Sequence, residues 1–107
     1  MGSSARQARR PYEVIFTPLA RAELELAWAW YDERSERAAA RFLDLMDHLV
    51  EQVGEAPRQF PVVRGDIRRA LAGRRFPYAL FFRIDDQRVV VIACFHLSRD
   101  PREWQRR

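Results

Sequence analysis

Residues 76–97 read FPYALFFRIDDQRVVVIACFHL, and this stretch decides the fold. Two runs rich in aromatic and β-branched residues, 76–84 and 88–97, flank Asp85-Asp86-Gln87, whose residue types favour a tight turn. Residues 89–92 are all apolar, which is typical of a strand buried on both faces. The stretch therefore predicts a β-hairpin whose second strand is central in a sheet.

The segments on either side of this hairpin are shorter and more polar. A further strand is predicted before it over residues 67–71, ending at a turn with Gly73. Residues 55–66 contain two prolines and a glycine, and we predict a loop there. After the hairpin, residues 98–107 are expected to form a basic tail that contains Trp104.

The N-terminal half predicts one strand and two helices. Residues 12–16 alternate and are rich in β-formers, and Thr17 can cap a helix over residues 18–34 that starts with proline. A second helix is predicted from Ser35 to about residue 53, with Gly54 as its stop. The order β-α-α-β-β-β predicts an α+β fold, with a helical hairpin packed on a small, mostly antiparallel sheet that the first strand also joins.

The first helix differs from the second in carrying two apolar stripes. Its first stripe contains Ala20, Leu24, Ala27, Trp28 and Tyr31, and its second contains Leu19, Leu26 and Trp30. The second helix has a single stripe, made of Ala39, Phe42, Met46, Leu49, Val50 and Val53. A helix with two stripes has two packing partners. The second stripe is therefore a candidate docking surface, with packing on the second helix or on the sheet as the alternative.

Length and composition predict a single domain over residues 11–107, preceded by a disordered tail over residues 1–10. The only cysteine is Cys94, so an internal disulfide is excluded and a reducing cytoplasm is the expected compartment. The sequence has no apolar run of the roughly 20 residues that span a membrane. We therefore expect no contact with a membrane.

The net charge of +4 hides a strong asymmetry. Residues 11–57 carry 4 arginines and 10 acidic residues, whereas residues 58–107 carry 12 arginines and 5 acidic residues. Such asymmetry favours a polyanion or an acidic partner, although a solvated basic face without a ligand explains it equally well. All 19 basic residues are arginine, which excludes chemistry that depends on lysine.

Motifs for cofactors and metals are not found. His48 and His96 are the only histidines and lie far apart, and Cys94 has no CxxC-type partner. Glycine-rich phosphate loops and a nucleophile elbow are also missing. We predict neither a metal site nor a cofactor.

The strands themselves are rich in arginine and aromatic residues. Strict alternation places Tyr78 and Phe82 on one face and Phe81 and Arg83 on the other, and it groups the last strand's Val90, Ile92, Cys94 and His96 on one face. Arginine and histidine side chains can bind RNA phosphates, and aromatic side chains can stack on the bases. Edge arginines that keep a small sheet soluble are the alternative.

Several strings, taken in order, resemble the RelE/ParE superfamily of bacterial toxins, and particularly its ParE-like, plasmid-stabilisation branch. They are YEVIFTPLA (12–20), EL (23–24), WY (30–31), ARF (40–42), DIRR (66–69), RFPY (75–78), VIACFH (91–96) and RDPREW (99–104). The resemblance implies the toxin of a type II toxin–antitoxin pair, which forms a hetero-oligomer with its cognate antitoxin. The second stripe of the first helix is then a candidate antitoxin-binding surface.

The superfamily implies two different targets. ParE-like members poison DNA gyrase and are not nucleases, whereas RelE-like members cut mRNA in the ribosome without a metal. The strings favour gyrase, and the missing lysines argue against the lysine-dependent form of cleavage; a non-toxic basic RNA- or protein-binding domain is a third hypothesis. Whether the protein is an enzyme depends on this choice.

The candidate site residues follow from these alternatives. For a nuclease, the catalytic candidates are His96 as base with Arg69, Arg83, Arg99 and Tyr78 around the phosphate. For either target, the candidate contacts are Arg68, Arg69, Arg75, Arg83 and Arg99. A structural role for His96 at the end of its strand is the alternative to catalysis.

Overall fold

The computed structural model describes residues 11–107, so the tail predicted over residues 1–10 lies outside the described residues. Its elements are β1 (Glu13–Phe16), α1 (Pro18–Arg34), α2 (Glu36–Glu55), a 3₁₀ turn (Pro57–Gln59), β2 (Val62–Arg64), β3 (Ile67–Leu71), β4 (Tyr78–Asp85), β5 (Arg88–His96) and α3 (Arg102–Gln105). The α+β fold and the hairpin of β4 and β5 are confirmed.

The five strands form one mixed sheet in the order β1-β5-β4-β3-β2. β1 runs parallel to β5, whereas the pairs β5–β4, β4–β3 and β3–β2 are antiparallel. The first strand joins the sheet as predicted, and it lies at the edge beside β5. The last long strand is central, as its run of apolar residues indicates.

The two long helices begin at side-chain caps and cover one face of the sheet. The Thr17 side chain accepts a hydrogen bond from the backbone N–H of Ala20, and the Ser35 side chain accepts one from Ala38. These bonds satisfy donors that the first turn of each helix leaves free. The predicted stripe of α2 is confirmed: all its members are buried except Val50, which is half-buried.

A β-bulge in the hairpin changes the alternation of β5. Phe81 pairs with Ala93 but Phe82 pairs with Val91, so Ile92 is an extra residue on β5. Val89, Val91 and Cys94 therefore face the helices, while Val90, Ile92, Ala93 and Phe95 join the opposite core. The prediction that residues 90, 92, 94 and 96 share one face is wrong, because the extra residue shifts the alternation by one.

The face of the sheet opposite the long helices has its own apolar core, which α3 covers. Trp104 of α3 is 5% exposed, and its ring stacks on Phe81 with centroids 4.0 Å apart. Phe95 and Ile92 are buried beside them. The predicted basic tail is thus a packed segment. Burial of one large aromatic ring offsets the conformational entropy that is lost when a single turn of helix becomes ordered.

Three predicted boundaries also need correction, and proline explains two of them. α2 continues through Gly54, which is buried, and ends at Glu55 because Pro57 follows closely. β4 begins at Tyr78 because Pro77 has no N–H to give to a ladder. The predicted loop 55–66 contains β2, whose three residues are exposed and give no alternating pattern.

Candidate functional site

The three side chains of the second stripe of α1 are exposed to solvent in the structure of residues 11–107. Leu19 is 52% exposed, Leu26 71% and Trp30 50%, whereas Ala20 and Ala27 of the first stripe are buried. Trp28, which the sequence places in the first stripe, is 37% exposed. The alternative of packing on α2 or on the sheet is therefore wrong for the second stripe, and its apolar surface is open to a partner.

Two of the candidate arginines line a cavity on the sheet face opposite the long helices. The cavity has a volume of about 300 Å³, and Arg69 and Arg99 line it together with Phe81, Phe95 and Trp104. Arg69 is half-buried, and its Nε atom is buried without a hydrogen-bond partner among the described residues. Its guanidinium is therefore held by packing and has an unused donor.

Arg99 is fixed at the rim of this cavity by three neighbours. Its guanidinium lies 4.6 Å from the centroid of the Phe95 ring and forms an ion pair with Glu103. A second carboxylate, that of Glu23 on α1, lies 3.8 Å from its Nη1 atom. The charge of Arg99 is therefore largely balanced within the molecule, whereas Arg69 forms no ion pair with any of residues 11–107.

Glu23 also holds the C-terminal segment against β5. Its carboxylate accepts two hydrogen bonds of 2.8 Å from the guanidinium of Arg107 and one of 3.1 Å from the backbone N–H of Cys94. Arg107 in turn donates to the carbonyl of Ile92 at 2.9 Å. The hydrogen bond with Glu23 raises the pKa of Arg107. β1 ends beside Val91, so the N–H of Cys94 and the carbonyl of Ile92 have no strand beside them. The side chains of Glu23 and Arg107 supply their hydrogen-bond partners.

Tyr78 and His96 face each other across the paired ends of β4 and β5. Their rings meet edge to face with centroids 5.0 Å apart. Ser98 donates its backbone N–H to Nδ1 of His96 at 3.1 Å, and its hydroxyl lies 2.7 Å from the same nitrogen. Burial raises the pKa of Tyr78, and the neighbouring Tyr31 adds to the shift. Tyr78 packs against the core beneath the helices.

The remaining candidate arginines lie apart from this pair. Arg83 is exposed near the opposite end of β4, five residues from Tyr78, which places them about 17 Å apart along the strand. Arg68 donates to the carbonyls of Phe60 at 2.7 Å and Arg58 at 3.2 Å. Its guanidinium therefore anchors the segment before β2.

Arg75 occupies a third place. It lines a cavity beside the turn between α1 and α2, together with Arg37 and Arg41. The candidate site residues thus fall into separate locations. Arg69 and Arg99 line one cavity, and Arg99 also adjoins His96, because its backbone N–H donates to the His96 carbonyl at 3.1 Å.

Three residues at or beside the cavity on the sheet face opposite the long helices were not among the predicted site residues: Glu23, Arg107 and Trp104. For Glu23 a signal exists, because it lies three residues after Ala20 and four before Ala27 and so shares their buried face. An acidic residue on a buried face needs a cationic or backbone partner. The identity of that partner, 84 residues away, has no local signal.

Within residues 11–107 we find no group of three or more His, Cys, Asp or Glu side chains placed to hold a metal ion. In the same residues no helix is both long enough and apolar enough to cross a membrane.

Comparisons with known proteins agree with this fold. The solved structure described as the chromosomal ParDE TA system from P. aeruginosa superposes with a TM-score of 0.70 at 16% sequence identity, over 83% of this chain and 99% of that chain. At this identity the likeness shows the fold alone. The comparison with curated proteins gave no significant match. The family model described as the ParE toxin of the type II toxin–antitoxin system, parDE, matches residues 14–101. That range is most of the chain, and the protein belongs to the ParE toxin family.

Proposed function

We propose that this ParE-family toxin inhibits DNA gyrase in the cytoplasm and that a cognate antitoxin neutralises it by docking on the exposed stripe of α1. The observation that carries the proposal is the family match over residues 14–101. Gyrase is the target that a ParE-like toxin implies, and the exposed apolar stripe is a surface that suits a protein partner.

The distance of Arg83 from Tyr78 and the occupied side chains of His96 and Arg99 support gyrase over mRNA cleavage. A metal-free nuclease needs a base, an acid and a phosphate clamp within hydrogen-bond reach of one phosphodiester. Here Tyr78 and Arg83 are about 17 Å apart along β4. His96 packs against Tyr78, and its Nδ1 atom is engaged by Ser98. Arg83 therefore does not share a phosphate with Tyr78, and the arginine nearest to His96 is Arg99, whose backbone N–H donates to the His96 carbonyl at 3.1 Å and whose guanidinium is already paired with Glu103.

We propose the sheet face opposite the long helices as the surface that contacts the target. Arg69 and Arg99 line its cavity, and Arg83 lies exposed on the same face, two residues after Phe81. Within residues 11–107, Arg69 and Arg83 form no ion pair, so a new anionic partner need not displace an existing one, whereas Arg99 is already paired with Glu103.

The test measures gyrase and translation with the same purified toxin. We expect loss of supercoiling by gyrase and an unaffected translation extract, and growth arrest when the toxin is induced in cells. Supercoiling left intact while translation stops would assign the protein to mRNA cleavage. Normal growth on induction would instead support a non-toxic binding domain.

Variants separate the two surfaces. Arg69→Gln with Arg83→Gln should reduce gyrase inhibition. The control, Arg21→Gln with Arg58→Gln, removes the same charge from exposed positions on α1 and on the 3₁₀ turn, outside the proposed contact, and should not. His96→Ala should leave toxicity intact. A non-toxic His96→Ala variant would support a catalytic role for this histidine.

A further inference from the structure

A cavity of about 340 Å³ lies where the turn between α1 and α2 meets the segment before β4. Its apolar walls come from Tyr31, Ala38 and Phe76, and its rim carries Arg37, Arg41 and Arg75. The volume is at the lower end of the range for ligand pockets, about 300–1,000 Å³, and suits one or two side chains of a partner. Arg75 comes from the basic half of the sequence, while Arg37 and Arg41 come from the acidic half.

The three arginines have no anionic partner in the described part of the chain. All three are exposed, and none of them forms an ion pair or a side-chain hydrogen bond with residues 11–107. Other arginines of the same protein do find carboxylates, for example Arg88 with Glu13 at 3.3 Å. The cluster is therefore a concentration of positive charge without an ion pair among residues 11–107.

The local position of two of these arginines is unfavourable for the isolated protein. Arg37 and Arg41 stand four residues apart near the start of α2, where like charges repel each other across one turn. Arg37, the second residue of α2, also opposes the helix dipole, which acts within the first turn. A bound anion relieves both effects, so charge complementarity points to an acidic ligand.

The apolar walls distinguish between two kinds of anion. Phe76 is 4% exposed, and its ring packs edge to face against Tyr31 with centroids 4.9 Å apart. Tyr31 also packs on Phe42 at 5.2 Å. Phe76 is buried and Tyr31 is half-buried with its ring packed by three other rings, so the cavity presents only a small part of their surface, which is too little for a stacked base. An apolar side chain that fits between the arginines is the better occupant.

From these observations we propose that the arginine cluster of Arg37, Arg41 and Arg75 binds an acidic peptide segment that inserts one apolar side chain against Tyr31 and Phe76. The carboxylates of the segment pair with the guanidinium groups, for which planar bidentate geometry is available. The cavity continues the exposed stripe of α1, because the Trp30 ring packs on Tyr31 with centroids 5.1 Å apart. The proposal does not depend on gyrase inhibition.

The test uses the fluorescein-labelled hexapeptide EELFEE as the probe and measures its fluorescence anisotropy with the folded protein. We expect binding that weakens with added salt, and weaker binding of the uncharged QQLFQQ and of EESSEE, which lacks the apolar anchor. Exposed ion pairs each contribute little to binding, so the triple variant Arg37→Gln, Arg41→Gln and Arg75→Gln should bind about tenfold more weakly.

The matched control replaces three other exposed arginines, Arg58, Arg64 and Arg106, by glutamine. It has the same net charge as the triple variant and should bind the peptide within about twofold of the original protein. Equal weakening in both triple variants would overturn the proposal, because binding then follows net charge and not the cluster.

Two further measurements keep the proposal falsifiable. Amide chemical shifts of the unmodified protein should change on peptide addition at residues 31–41 and 74–77, and changes confined elsewhere would refute the site even if the triple variant unfolds. A ten-nucleotide oligothymidylate should compete poorly with the peptide. Tighter binding of the oligonucleotide at the same residues would show a nucleic-acid site and overturn the peptide proposal.

Discussion

Replacing Glu23 by glutamine should destabilise the protein although the side chain keeps its shape. The Glu23 side chain is 9% exposed, and its carboxylate accepts hydrogen bonds from Arg107 and from the N–H of Cys94. The amide oxygen of the glutamine would still accept from Cys94, but the charge that faces the guanidinium would be lost. The substitution therefore tests the ion pair with Arg107 more than the backbone contact.

The magnitude follows from the partial burial of the pair. Breaking a fully buried ion pair costs about 3–5 kcal/mol, whereas an exposed pair contributes about 0–1 kcal/mol. The Arg107 side chain is 18% exposed, so water can reach its freed guanidinium. We expect the free energy of unfolding to fall by about 2 kcal/mol, which lowers the melting temperature by about 8 °C in a domain of this size.

The assay is urea unfolding followed by circular dichroism, with Glu25→Gln as the matched control. Glu25 lies on the same helix and is exposed, so its variant should stay within about 0.5 kcal/mol of the original. A double-mutant cycle with Arg107→Gln should give a coupling energy of about 1–2 kcal/mol. Equal stability of the Glu23 and Glu25 variants, or additive effects in the cycle, would refute the role of this ion pair.

Three further predictions concern single side chains. Trp30→Asp should weaken copurification with the antitoxin while leaving the thermal midpoint nearly unchanged, because Trp30 is 50% exposed; loss of folding would contradict this. Trp104→Ala should cost about 3 kcal/mol in urea unfolding, since the ring is buried and stacked on Phe81, and an unchanged midpoint would show that α3 does not contribute. Burial, aided by the charge of Glu23, raises the pKa of Cys94 to about 12, so stability should fall as pH rises from about 9 to 12 by up to about 1.4 kcal/mol per unit. The reason is that the thiol ionises at lower pH in the unfolded chain than in the folded protein. Cys94→Ala should flatten this part of the stability profile, and identical profiles for the variant and the original protein would contradict the raised pKa of Cys94.

Local signals account for the parts of the fold that the sequence predicts well. Thr17 and Ser35 mark both helix starts because a capping side chain acts within three residues of itself. The bulge at Ile92 has no such signal. Residues 89–92 are all apolar, and a run without polar residues does not reveal which side chains share a face.

The candidate site is less predictable because adjacent arginines can have different surroundings. Arg68 and Arg69 look equivalent in sequence, yet their side chains alternate across β3. Arg68 is used by the carbonyls of Phe60 and Arg58, while Arg69 reaches the cavity on the opposite face. Likewise Arg37 and Arg41 meet Arg75 only through tertiary packing, which joins the acidic and basic halves of the chain.

The parallel pairing of β1 with β5 determines when the fold can form during synthesis. Glu13 pairs with Arg88, so β1 cannot join the sheet until β5 has been synthesised. At about 5–20 residues per second, the ribosome needs about 4–15 s to make the chain between them. Contacts of such long range form late in folding. A nascent chain that stops before β5 therefore has an unpaired first strand, and we expect cellular proteases to degrade such fragments quickly.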